Sequence, residues 1–340
     1  MRRIAVTALF TALVVLLMLV TACHRIKLYD PKGGVFLELY VDIDYYYDNY
    51  CDESIVSDPK FKFKSRGIIP ETIRLYMYDP VTHEQVYETI LPSTGGFIDV
   101  PPGTYDVIAY GMGSQVTRFT SAHNRGLLKA YTEAKGTLVK AVDENASPQP
   151  QYASATSWTL ITEPDQVYAG SMQGMIVPVR YDNEGIVRLH LDLEPVVKTY
   201  TFIAQNISGL ENVKSITCYI TGQAPDSFLW DGHFTKEPVA LDFNASISPE
   251  TFTVRGLFNT FGKIPEISSQ AILHVQIKDV IGRQYKWEYD ITDQFDNPDN
   301  TCRIIIVTDP VHIPEPDEED QGSNLVTVKP YSVHIYDVEL

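Results

Sequence analysis

Strict alternation of apolar and polar residues, in five separated runs, is the feature that most limits what this chain can fold into. From Val35 to Tyr45 the odd positions are Val35, Leu37, Leu39, Val41, Ile43 and Tyr45, and the even ones include Glu38, Asp42 and Asp44. Ile73, Leu75 and Met77 alternate with Arg74, Tyr76 and Tyr78, and Val187, Leu189, Leu191 and Leu193 with Arg188, His190, Asp192 and Glu194. Leu273, Val275 and Ile277 alternate with His274, Gln276 and Lys278; Trp287, Tyr289 and Ile291 with Lys286, Glu288 and Asp290. A two-residue period puts one whole apolar set on one face of a strand, and a slip of one residue would expose it. Turn residues separate the runs: Pro101-Pro102-Gly103 follows Gly96–Val100, and Ile281-Gly282 lies between Ala271–Val280 and Tyr285–Thr292, which read as a hairpin. Only His123–Ala134 reads as a short helix, with Leu127, Leu128 and Tyr131 on one side. So much alternation with so little helix predicts an all-β chain of two sandwiches, not an α/β fold.

At 340 residues the chain has room for two such units, and neither a disulfide nor a metal is needed to support a core of that size. Residues 1–22 read as an export signal. Met1-Arg2-Arg3 is a basic start, Ile4–Val20 is uncharged and apolar apart from two threonines, and Val20-Thr21-Ala22-Cys23 ends it. Seventeen residues are marginal for crossing roughly 30 Å of hydrocarbon. The terminal pattern resembles a bacterial lipobox, in which the Cys23 thiol takes a diacylglyceryl group before cleavage. Removing the signal takes two arginines from a chain whose formal charge is already −17, leaving −19. The expected organisation is a signal at 1–22 and sandwiches at 23–183 and 184–340, with the break near Asp182-Asn183-Glu184-Gly185. Residues 141–155 read as a long polar loop, and Pro314–Gly322 as an acidic loop before a last alternating run around Val328–Leu340.

Nucleic acid is not expected as a partner, because binding phosphates needs a basic face and this chain carries 27 basic against 44 acidic residues. No enzyme is expected either: HExxH, GxSxG and P-loop patterns are missing, and Gly111-Met112-Gly113-Ser114 lacks the third glycine of a nucleotide-binding turn. No metal or cofactor is expected. Cys51, Cys218 and Cys302 form no zinc-like cluster with histidine, and Asp293–Asn300, although rich in oxygen donors, lacks the spacing of a calcium loop and reads as turn chemistry. An oxidising envelope permits a Cys218–Cys302 bridge. His190 and His274 fall on polar strand faces and read as solvated. Tyr46, after the first strand, and Trp230, in a loop beside His233, are candidates for stacking on a glycan, although packing within the sheet explains such rings as well. The basic run Lys60–Arg66, in the loop after the first strand, offers a trypsin-like protease a cut after Arg66 that would strip that strand from the chain.

Several stretches resemble fimbrillin-like lipoproteins of Bacteroidetes, a two-domain family related to type V pilus subunits and anchors. They are Cys23-His24-Arg25, Pro101–Tyr110, Pro164–Gly170, Tyr200–Ile220, Phe258–Gly262 and Tyr289–Gln294, and together they span the mature chain. The resemblance implies two tandem transthyretin-like Greek-key sandwiches, an outer-membrane anchor through lipid on Cys23, and other fimbrillin-like subunits as partners that join by strand donation. An open sandwich edge offers unpaired backbone groups and a groove for alternate side chains, and an added strand fills both. Glycans remain the alternative partner, through Tyr46 and Trp230.

Overall fold

In a computed structural model the described residues are 34–41, 69–139, 157–179, 186–265, 270–297, 303–315 and 325–327. Eleven strands come first: β1 (Val35–Val41), β2 (Thr72–Tyr78), β3 (Gln85–Pro92), β4 (Gly95–Ile98), β5 (Gly103–Gly111), β6 (Arg118–Phe119), β7 (Lys129–Tyr131), β8 (Ala134–Val139), β9 (Ser157–Thr162), β10 (Tyr168–Val177) and β11 (Val187–Pro195). Then follow β12 (Lys198–Ala204), β13 (Ile207–Ser208), β14 (Val213–Gln223), β15 (Asp226–Phe228), β16 (Val239–Phe243), β17 (Ala245–Ser248), β18 (Thr253–Thr260), β19 (Ile272–Asp279), β20 (Gln284–Asp290), β21 (Ile304–Val307), β22 (Val311–His312) and β23 (Leu325–Thr327). One short helix, α1 (Thr292–Asp296), and three single 3₁₀ turns complete the described elements. The chain is all-β, as its alternation requires. Among the described residues no helix is long and apolar enough to cross a membrane.

The first unit is built from the strand order β3-β2-β5-β10-β11-β1-β4. β10 and β11 share only two residue pairs, Tyr168 with Pro195 and Ala169 with Glu194, so β11 leaves one layer and enters the other. Their common core holds Val35, Leu37, Ile73, Leu75, Val107, Ile98 and Leu193. The second unit pairs β17-β18-β12-β21 against β23-β20-β19-β14-β16-β9-β8 around Phe202, Phe243, Phe258, Leu273, Trp287 and Tyr289. The expected hairpin joins β19 and β20 in an unbroken antiparallel register from Ile272–Asp290 to Lys278–Gln284.

Strands cross position 183 in both directions. β11, beyond it, belongs to the first core, whereas β8 and β9, well before it, lie at the edge of the second unit's larger sheet. A third core sits between the two. It takes Tyr76, Tyr78, Ile108 and Tyr110 from the outer face of β2 and β5, and Ala224, Leu229, Phe261 and Ile264 from the second unit. β2 is therefore buried on both faces, where one-sided alternation predicts an exposed Tyr76 and Tyr78. The predicted helix at 123–134 is corrected as well. Arg125–Leu127 forms one 3₁₀ turn, and Leu128, just before β7, and Ala130, within it, point inward into the third core.

Candidate functional site

β1 has the geometry of a strand inserted into a slot. It pairs parallel with β11 through seven residues, from Val35–Val187 to Val41–Leu193, and antiparallel with β4 from Val35–Ile98 to Glu38–Gly95. Its inward residues are 0%, 0%, 7% and 9% exposed for Val35, Leu37, Leu39 and Val41. β4 approaches closely because residue 95 is glycine. Its φ is +89°, and a Cβ there would lie 1.9 Å from the Leu37 carbonyl oxygen. The strand expected from Val35 to Tyr45 is thus seen to Val41; residues 42–45 lie outside the described residues.

Outward, each side chain of β1 meets one from a neighbour. The Arg188 guanidinium lies 4.6 Å from the centre of the Phe36 ring, and its Nη1 donates to Glu38 Oε1 at 2.7 Å. Phe36 is also opposite Phe97 on β4. Tyr40 lies 6.4 Å from the His190 ring, centre to centre, and His190 Nε2 is 2.8 Å from Asp192 Oδ1. His190 is thus exposed, as its strand position predicts. Arg188 was not singled out by its sequence context, since an arginine on a polar strand face carries no motif.

Trp230 is half-buried in the third core, and the Arg125 guanidinium lies 4.0 Å from its ring centroid. One ring face is therefore taken, and the Trp230 carbonyl accepts from Ser171 Oγ at 2.9 Å. Arg125 in turn pairs with the buried Asp106 carboxylate, which also accepts from the Gly174 amide at 2.9 Å. On the same side, Lys129 Nζ reaches Asp226 Oδ2 at 2.5 Å, and Asp226 accepts from both the amide and the hydroxyl of Thr235. Nothing in the local sequence marks these residues, because most of their partners are distant in the chain. Phe228, beside Trp230, stacks on His233 with centroids 3.8 Å apart.

His274 departs from the solvated histidine expected: it is buried, stacked on Tyr219 at 4.6 Å, with Nδ1 3.3 Å from Glu288. The register explains it, since Tyr219 and Glu288 are its direct cross-strand neighbours and their side chains cover it. Cys218 is a free thiol in the second core, and burial pushes its pKa up to about 12. Cys302, its bridge partner in the sequence reading, lies outside the described residues, as do Cys23, Tyr46, Cys51 and Arg66. Of Asp293–Asn300, residues 293–296 lie in α1, and Asp296 pairs with Lys263. No group of three metal-ligating side chains occurs among the described residues.

Burial of phenols is the main electrostatic effect. It raises the pKa of Tyr78, Tyr110, Tyr219 and Tyr289, and brings Tyr200 up to about 12. These groups serve packing; none sits beside a nucleophile and base within a cleft.

Set beside known proteins, residues 47–244 match the family described as Domain of unknown function (DUF5119). A candidate fimbrium anchoring subunit, Fim4B, of Bacteroides ovatus is 24% identical over 216 residues, which is 63% of this chain and 53% of that protein. The chain therefore spans about half the length of that relative. Among solved structures, a candidate adhesin from Bacteroides ovatus superposes with a TM-score of 0.53 at 20% identity, covering 92% of this chain and 98% of that one. The fimbrial anchor protein Mfa2 from Porphyromonas gingivalis gives 0.48 at 12% identity, over 86% and 94%.

Proposed function

The chain belongs to the DUF5119 family, and from that premise we propose that it is a non-enzymatic, lipid-anchored protein of the cell envelope, a fimbrillin-like pilus subunit, anchor or adhesin that assembles by exchanging its first strand. Lipid on Cys23 ties it to the outer membrane, and its partners are other fimbrillin-like subunits. The name of the Bacteroides ovatus relative, a fimbrium anchoring subunit, supports the same reading.

One observation carries it: the slot that β1 fills is repeated in the second unit, but the strands in the two slots are tethered differently. β12 also lies between an antiparallel neighbour, β18, and a parallel one, β21. However, β12 follows β11 after only Val196 and Val197, so it cannot move without dragging the first unit apart. β1 is joined to β2 through residues 42–71, which contain the basic run ending at Arg66. Cleavage there leaves β1 held by noncovalent contacts alone. Its departure would open a groove with four aliphatic holes and two rows of unpaired backbone groups, the form of site that an added strand fills.

The test is the N-terminus of protein taken from cell envelopes. A start at Gly67 in material that forms high-mass assemblies supports a subunit, and a lipid-modified Cys23 in complex with other subunits supports an anchor. A lipid-modified chain that is monomeric under every condition, with no partner on crosslinking, overturns the proposal. For glycan binding the structure offers less, since Arg125 already covers one face of Trp230.

A further inference from the structure

The two faces of β1 ask different things of whatever strand fills the slot. Inward, the residues are Val35, Leu37, Leu39 and Val41, and any segment alternating aliphatic side chains meets that demand. A slip of one residue would bury polar groups, but a slip of two keeps aliphatic residues inward. The buried face therefore decides that a strand docks, and leaves open which strand and in what register.

The outward face is specific. Phe36, Glu38 and Tyr40 run aromatic, acidic, aromatic, and Arg188 contacts the first two at once, its guanidinium over the Phe36 ring and its Nη1 on the Glu38 carboxylate. A two-residue slip in either direction sets an aromatic residue where Glu38 stands and leaves the guanidinium without its carboxylate. We infer that Arg188 is the specificity-determining residue of the slot, and that the partner is an extended segment with aliphatic residues inward and an aromatic–acidic–aromatic series outward. This rests on the strand-exchange reading above and adds to it the chemistry of the strand selected. Both side chains are largely exposed, 64% for Arg188 and 47% for Glu38, so the selection is modest and salt-sensitive, about threefold to tenfold.

The experiment uses the mature chain, nicked within Lys60–Arg66 by limited trypsin digestion, unfolded in urea and refolded with excess fluorescein-labelled peptide of sequence 34–41. Peptides carry the native sequence or Glu38→Lys, and the protein is native or Arg188→Glu. The native peptide should enter the native slot, the Glu38→Lys peptide should bind about threefold to tenfold more weakly at low salt, and Arg188→Glu should reverse that order. Equal binding of both peptides to both proteins overturns the role of Arg188 while leaving strand exchange standing. Failure of the native peptide to enter at all removes strand exchange, and the inference falls with it. In the uncut chain, Glu38→Lys and Arg188→Glu should each lower the urea midpoint and the double variant restore it; additive losses count against the pair.

Discussion

Gly95 is where the attachment of β1 can be tested without touching β1. Alanine at this position meets two obstacles: a φ of +89°, and a Cβ placed 1.9 Å from the Leu37 carbonyl oxygen and 2.9 Å from the Leu39 amide nitrogen. Both contacts are backbone, so no side chain can rotate away. Gly113 is a matched control, with φ at +112° and nothing within 4 Å of its Cβ. Positive φ alone costs an alanine roughly 1 kcal/mol. The clash adds to this at Gly95, and relief requires β1 to move. β1 itself is marginally held: four buried aliphatic side chains contribute roughly 6–12 kcal/mol, ordering seven residues costs about 7–14, and the ladder hydrogen bonds tip the balance. Gly95→Ala should therefore cost about 3 kcal/mol, expressed as undocking of β1. Hydrogen exchange read by mass spectrometry should show protection in 35–41 falling about a hundredfold, with β2 and β5 unchanged, whereas Gly113→Ala should lower the urea midpoint slightly and leave 35–41 protected. The same loss in both variants, or a loss in Gly95→Ala spread evenly over the first unit, would refute the close approach of β4 to β1.

Three further outcomes follow from buried polar groups. Arg255 is only 7% exposed, and its Nε and Nη1 have no hydrogen-bond partner among the described residues, so Arg255→Leu should raise stability by about 1–3 kcal/mol in urea titration, and a clear loss would show that the guanidinium is satisfied in solution. Arg125→Ala strands the Asp106 carboxylate and uncovers Trp230; it should cost about 3 kcal/mol and shift tryptophan emission, and an unchanged spectrum would argue against the stacked pair. Phenols whose pKa lies above the ordinary 10.0 in the folded chain contribute their stability fully below pH 10 and lose it as pH rises beyond. Tyr78, Tyr110, Tyr200, Tyr219 and Tyr289 should thus make the urea midpoint fall steeply above pH 10, with the buried Cys218 thiol starting the decline near pH 9, and a midpoint unchanged to pH 12 would contradict their burial.

The reading of β1 from its alternation was reliable because one-sided burial is a local property: Val35, Leu37, Leu39 and Val41 all point inward. It fails at β2, where Tyr76 and Tyr78 meet a second buried surface contributed in part by residues more than a hundred positions away, such as Ala224 and Leu229. The same reason hides Arg125 and Asp106, whose neighbours Trp230 and Gly174 are distant in the chain. His274 was assigned the right face and the wrong surroundings, since alternation cannot show that Tyr219 and Glu288 flank it. The parallel pairing of β1 with β11 was illegible for a different reason. Two alternating runs fit parallel or antiparallel pairing equally well, and nothing between residues 41 and 187 sets the direction.

If β1 leaves its slot as proposed, the three cores let the rest of the chain stay whole. All four inward residues of β1 belong to the first core, and none belongs to the second or to the core between the units. The joint between the units is anchored elsewhere, by Arg125 on Asp106 and Trp230, and by Lys129 on Asp226. Ordinarily a seven-residue strand in mid-sheet unfolds with its domain. Here β2 and β5, in the opposite layer of the first unit, are buried on their far side as well, so their ladder is held from behind when the near side is exposed. Departure of β1 then exposes a groove in a supported wall, and the exposed aliphatic surface favours binding of another strand over collapse. A variant that loosens the joint, such as Arg125→Ala, should therefore turn local loss of β1 into unfolding of the whole first unit. Hydrogen exchange separates the two cases: if β2 and β5 stay protected in Gly95→Ala but open together with 35–41 in the Gly95→Ala, Arg125→Ala double variant, the third core is what makes the strand dispensable.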